Sequence, residues 1–160
     1  ETMSNDYYAA ANEIRAELVS FMQDIIRIPS LSSEEGEVIE RIRKEMLDIG
    51  YDEVTVDPMG NLIGRIGSGE KTIAFDGHVD IVDVGDPKLW DRDPFSADIE
   101  DGILYGRGAS DMKGGVASSV YAGALLKKHG IPDNVTMYEA AGLPVVYLHS
   151  GYYEGGKAAP

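Results

Sequence analysis

The sequence predicts an α/β layered domain. Two amphipathic helical stretches open the chain, short β-type segments separated by Gly and Pro turns fill its middle, and a helix rich in small residues follows. At 160 residues, 43% hydrophobic and 26% charged, the chain is long enough for one hydrophobic core and has ordinary globular composition.

Over residues 5–27, Ile14, Leu18, Phe21, Met22, Ile25 and Ile26 recur at three- and four-residue spacing, which predicts a helix that Pro29 terminates. Ser32 and Glu35 have the spacing of a capping box. The second helix then runs to Ile49, with Val38, Ile39, Ile42, Met46 and Leu47 on its apolar face and Gly50 as its stop. Residues 54–56 and 62–66 read as strands separated by a turn at Pro58-Met59-Gly60-Asn61. After a turn at Gly67-Ser68-Gly69, Thr72-Ile73-Ala74-Phe75 reads as a compact buried strand that runs into Asp76-Gly77-His78. Residues 86–95 read as a loop, and residues 97–105 as a hairpin turning at Asp101-Gly102. The helix over residues 114–129 carries Gly115, Ala117, Ser118, Ser119, Ala122, Gly123 and Ala124, which suits close packing on a sheet, with Gly130 just past its end. Residues 144–148 form one more strand candidate, and residues 151–160 have no periodicity.

Composition narrows the function. Lys and Arg number 14 against 28 Asp and Glu, a net charge of −14, which argues against nucleic acid or an anionic membrane as partner. No apolar run approaches the roughly 18 residues of a membrane span, and no signal-peptide pattern is read, so a cytoplasmic location is expected. With no Cys, thiolate metal sites are excluded; any metal must be held by His, Asp and Glu, and the only His are His78, His129 and His149.

The chemistry concentrates in Asp76-Gly77-His78-Val79-Asp80 and in Gly106-Arg107-Gly108-Ala109-Ser110-Asp111-Met112-Lys113-Gly114-Gly115. His78 follows a strand at a Gly-bounded turn, where α/β enzymes place reactive groups. Neutral imidazole binds zinc, and Asp80, two residues on, is placed to orient its other nitrogen. Asp111 precedes a helix, where a carboxylate can bridge cations. Taken singly, each has a plainer reading: His78 as a structural histidine, Asp80 as a turn residue, Asp111 as an N-cap. Lys113 reads as a solvated charge at a helix start, His129 as a helix-end cap and His149 as a surface residue. The Gly106–Gly108 segment lacks both GxGxxG and the P-loop Lys-Ser/Thr pair, which disfavours nucleotide binding.

Taken together, the two segments resemble the M20 metallohydrolases: aminoacylases, dipeptidases, acetylornithine deacetylases, succinyl-diaminopimelate desuccinylases and glutamate carboxypeptidases. Gly77-His78-Val79-Asp80 is similar to that family's first metal motif. Residues 90–95 followed by Leu104-Tyr105-Gly106-Arg107-Gly108-Ala109-Ser110-Asp111-Met112-Lys113-Gly114-Gly115 resemble the second, and the likeness extends over about residues 12–134. Gly85-Asp86-Pro87, Trp90 and Asp93-Pro94-Phe95 look most like the selenium-metabolism-linked hydrolase branch. The resemblance implies a three-layer α/β/α fold with a mixed sheet, incomplete in this chain. It implies a two-metal site using zinc, or cobalt or manganese, in which His78 binds metal, Asp80 orients it as a catalytic residue and Asp111 bridges two ions. It also implies a cis peptide at Asp111–Met112. The implied activity is hydrolysis of an amide bond in a small N-acyl amino acid or peptide.

The likeness breaks after residue 138. The family's Glu-Glu pair, base and metal ligand, has no counterpart; the region reads Glu139-Ala140-Ala141-Gly142, and Glu154 comes late. Residues 1–138 are therefore expected to be the N-terminal part of an M20-type catalytic domain, and 139–160 a divergent or truncated segment of it. The family's dimerisation domain is absent, though a homo-oligomer is not excluded. Weak zinc binding and little turnover are expected of the chain alone, with a non-catalytic binding or interaction module as the alternative.

Overall fold

A computed structural model of the chain describes residues 7–142. Its elements run α1 (Tyr7–Glu13), α2 (Arg15–Arg27), α3 (Gly36–Ile49), β1 (Glu53–Val56), β2 (Leu62–Gly67), β3 (Lys71–His78), β4 (Ile99–Glu100), β5 (Ile103–Leu104), α4 (Gly114–His129) and β6 (Val135–Gly142). The strand candidate at 144–148, His149 and Glu154 lie outside the described residues.

The expected α/β domain with a mixed sheet is present. The sheet runs β1-β2-β6-β3, antiparallel at β1-β2 and β2-β6 and parallel at β3-β6, with α4 in the crossover from β3 to β6. Leu62, Gly64 and Ile66 of β2 lie opposite Ala141, Glu139 and Met137 of β6, so these residues share one face. On that face the core forms from Phe21, Ile25, Val38, Ile42, Met46, Leu62, Ile66, Val116, Val120 and Met137. The small residues of α4 serve this packing. A side chain at Gly123 would collide with the Tyr51 ring and hydroxyl, whose Oη donates to the Val120 carbonyl at 2.9 Å. On the opposite face Ile63, Tyr138 and Ala140 are only half-buried, and no helix among the described residues covers them.

Local signals explain most boundaries. Ile28, before Pro29, is extended and ends α2. Gly50 closes α3 in the left-handed region, φ 89°. Asp57 Oδ1 accepts the Met59 and Asn61 N–H groups in the predicted turn. The hairpin turns at Asp101-Gly102 as expected.

Three expectations need correction. The first helix is interrupted at Ile14, though its carbonyl still accepts from Leu18 N–H. The capping box does not form: Glu35 itself occupies the N-cap position, and the Ser32 hydroxyl donates to Asp80 instead. Finally, the strand containing residues 72–75 is exposed. As β3 it ends the sheet, and α4 meets its far end, where Gly77 packs near Val116 and Met112, leaving Ile73 and Phe75 open to solvent. No helix among the described residues is long and apolar enough to cross a membrane.

Candidate metal centre

His78 ends β3, and Asp111 lies in the tight turn Ala109–Lys113 that leads into α4. The centre therefore sits at the C-terminal end of a parallel strand, where open α/β sheets bind ligands. His78 Nε2 is 3.0 Å from Asp111 Oδ1, and His78 Nδ1 is 3.1 Å from Asp80 Oδ1. Asp80 Oδ2 in turn accepts from Ser32 Oγ at 2.7 Å. The four side chains form a line from Ser32 through Asp80 and His78 to Asp111.

That line has a chemical consequence. Neutral imidazole donates through one nitrogen only. With the proton on Nδ1 facing Asp80, the Nε2 lone pair faces an anionic oxygen. The contact closes favourably only with a positive charge shared between the two, a proton or a metal ion. Two ligands each about 2.1 Å from a tetrahedral zinc lie about 3.4 Å apart, so the observed pair needs little movement to share one ion. The Asp111 side chain is 88% exposed and open to solvent on its side away from His78. Donor chemistry and spacing thus fit a divalent metal. Among the described residues, no group of three or more His, Cys, Asp or Glu side chains joins in a metal cluster.

The backbone holds the line from two sides. Residues 30–31 run alongside 79–81 through Ser30 Oγ to the Val79 carbonyl and a Leu31–Ile81 bridge. On the other side, Lys113 corrects its expected solvated role. It is fully buried, and its Nζ donates to the Ile25 and Ile28 carbonyls at 2.8 Å each, at the C-terminal end of α2. A cation suits a helix C-terminus, while burial pulls the ammonium down to about 8. The Asp111–Met112 peptide is cis, as the resemblance implied. Lys113→Met will lower stability by about 3 kcal/mol, because the buried Ile25 carbonyl and the half-buried Ile28 carbonyl lose their donor; a urea midpoint that stays in place would contradict this.

Glu139 cannot serve as a base at this pair in the geometry observed. It is fully buried, its Oε1 accepts from Ser119 Oγ at 2.6 Å, and it does not line the cleft beside His78. Burial, with the nearby Asp76 charge, raises its carboxyl to about 8 against the lowering effect of Ser119. That cleft has a volume of about 260 Å³ and is lined by His78, Asp80, Trp90, Arg107, Ser110 and Asp111 among others. Sequence reading missed Ser32 and Lys113; only the Ser/Glu spacing at 32–35 and the Asp-Met-Lys run marked them.

A sequence profile of Peptidase family M20/M25/M40 matches residues 74–139, the stretch that contains His78, Asp80 and Asp111. The chain belongs to the M20 family. It is 43% identical over 127 residues to the uncharacterized protein YgeY of Escherichia coli K12, covering 79% of this chain and 32% of that protein. It is 40% identical over 128 residues to a succinyl-diaminopimelate desuccinylase of Cereibacter sphaeroides, covering 78% of this chain and 34% of the enzyme. The M20 chain described here thus spans about a third of the length of these curated relatives. Its fold matches the Saccharomyces cerevisiae di-peptidase Dug1p with a TM-score of 0.74 at 21% identity, over 91% of this chain and 37% of Dug1p. It also matches the Bacillus subtilis YXEP protein, a dinuclear metal-binding peptidase of the M20 family, with a TM-score of 0.61 at 19% identity, over 81% of this chain and 35% of YXEP.

Proposed function

We propose that this M20 chain contributes the His78–Asp111 half of a zinc-dependent amide hydrolase acting on small N-acyl amino acids or peptides. The observation that carries the reading is the 3.0 Å His78–Asp111 contact, a spacing that a shared metal ion fits, backed by Asp80 on the other ring nitrogen. In this reading His78 Nε2 and Asp111 hold the metal, and Asp80 fixes the imidazole tautomer and ring direction. Ser32 holds Asp80 in turn. The bound metal supplies polarisation of the amide carbonyl and acidification of water. The residues themselves shape the cleft and keep the ligand atoms facing one another. Residues 1–138 are the N-terminal part of the catalytic domain in this proposal, and 139–160 its divergent end.

The described residues provide two ligands and no base at the cleft, so the chain alone is expected to bind zinc weakly and turn over little substrate. Calorimetric zinc titration, with an assay of N-acyl amino acid hydrolysis on the same sample, tests this. Weak saturable binding at His78 and Asp111 supports the proposal. No binding at millimolar zinc sinks it, and robust hydrolysis would overturn the half-site description. The same titration weighs the non-catalytic alternative, which the open face of β3 favours.

A further inference from the structure

Among the described residues that line the cleft beside His78, one side chain is cationic, Arg107. Arg27, Arg41, Arg43, Arg65 and Arg92 each hold a carboxylate at ion-pair distance. Arg107 holds none among the described residues, and neither does Arg15, which is exposed on α2 whereas Arg107 lies half-buried in the cleft. Among the described residues its one side-chain hydrogen bond is long, from Nη2 to the Asp83 carbonyl at 3.4 Å, and its buried Nε has no acceptor. A guanidinium carries five N–H donors in a rigid fork shaped for a carboxylate, so most of this capacity is unspent.

Arg107 is nevertheless held in place. Its guanidinium carbon lies 4.9 Å from the centre of the Trp90 ring, and Trp90 Nε1 is anchored on the Val84 carbonyl at 2.9 Å. Stacking fixes the plane of the fork without consuming its edge donors. We infer that Arg107 is a specificity-determining residue, which binds a free carboxylate of the substrate and so selects anionic amides over neutral ones. This rests on reading the cleft as the substrate site of an amide hydrolase.

Trp90 is the only tryptophan in the chain, so its fluorescence reports on this contact. The experiment titrates N-acetyl-L-alanine against N-acetyl-L-alanine amide, by Trp90 fluorescence and calorimetry, with and without zinc, with metal content measured alongside. The acid is expected to bind at least about tenfold more tightly than the amide, the scale of one hydrogen bond to a charged group. Arg107→Gln should erase that preference while metal content stays at the wild-type level, and Arg107→Lys should keep part of it. Equal affinities for acid and amide, or no binding of either, overturn the inference, as does a preference that survives in Arg107→Gln. The acid-against-amide comparison uses the wild-type chain, so it decides even where a variant fails to fold. Absence of bound zinc counts against the metal reading alone, because the zinc-free comparison still judges Arg107.

Discussion

His78→Ala and Asp111→Ala will each weaken zinc binding by more than the roughly 10–100-fold that losing an orienting partner costs, and Asp80→Asn will fall within that range. The ranking follows from position. His78 and Asp111 face each other across 3.0 Å, and removing either atom leaves a single ligand. Asp80 touches the other imidazole nitrogen at 3.1 Å; its amide replacement still occupies the space but can present an N–H where an acceptor is needed, which disfavours the tautomer that frees Nε2. Calorimetric titration of the three variants gives the order directly. An Asp80→Asn effect as large as that of His78→Ala would place Asp80 on the metal, and an unchanged His78→Ala would remove the centre from this cleft.

Thermal stability will fall between about pH 4.5 and pH 8, and Glu139→Gln will abolish that part of the fall. Burial, reinforced by Asp76, raises the folded carboxyl from 4.5 to about 8. Within this window the folded chain keeps a proton that the unfolded chain has released. Stability therefore drops as pH rises, by up to about 1.4 kcal/mol per pH unit, and levels off above the folded value. The contribution is fully present below 4.5. Asp52 and Asp57 have the opposite sign, their pKa values lowered, so their contribution is lost only at more acidic pH. The informative quantity is the difference in melting temperature between Glu139→Gln and the parent, measured at several pH values. It should be small at pH 5 and grow steadily to pH 8; a difference independent of pH would refute the assignment.

The helices were legible in the sequence because their apolar faces recur at helical spacing and Pro29, Gly50 and Gly130 mark their ends. The hairpin at Asp101-Gly102 was legible for the same local reason. The exposure of β3 was not, since an apolar run such as Ile73-Ala74-Phe75 looks alike at the centre and at the edge of a sheet; strand order decides, and strand order is non-local. His78, Asp80 and Asp111 were legible as chemistry-bearing residues on Gly-rich turns. The Asp80–His78 contact was legible too, from their two-residue spacing; the direct His78–Asp111 contact was not, because spacing cannot show which distant side chains meet across 33 residues. Ser32 was misread because its spacing to Glu35 imitates a cap while tertiary structure gives its hydroxyl to Asp80. Lys113 was misread because an ammonium near a helix start is ordinarily solvated, and only the docking of α2 supplies the two carbonyls that bury it.

The segments that make the centre are distant along the chain. His78 and Asp111 are 33 residues apart, Ser32 and Asp80 are 48 apart, and Lys113 reaches back 88 residues to Ile25. Each contact closes a long loop whose entropy must be overcome before the contact contributes, so the centre depends on the fold that brings these segments together. A cation that grips His78 and Asp111 together grips the native chain and not the unfolded one. Its binding energy then adds to folding by mass action, about 2.7 kcal/mol at a free concentration one hundred times its dissociation constant. Under the proposed function the melting temperature of this chain is a gauge of metal supply, and the centre a clasp on a domain in which β3 is the last strand of the sheet among the described residues.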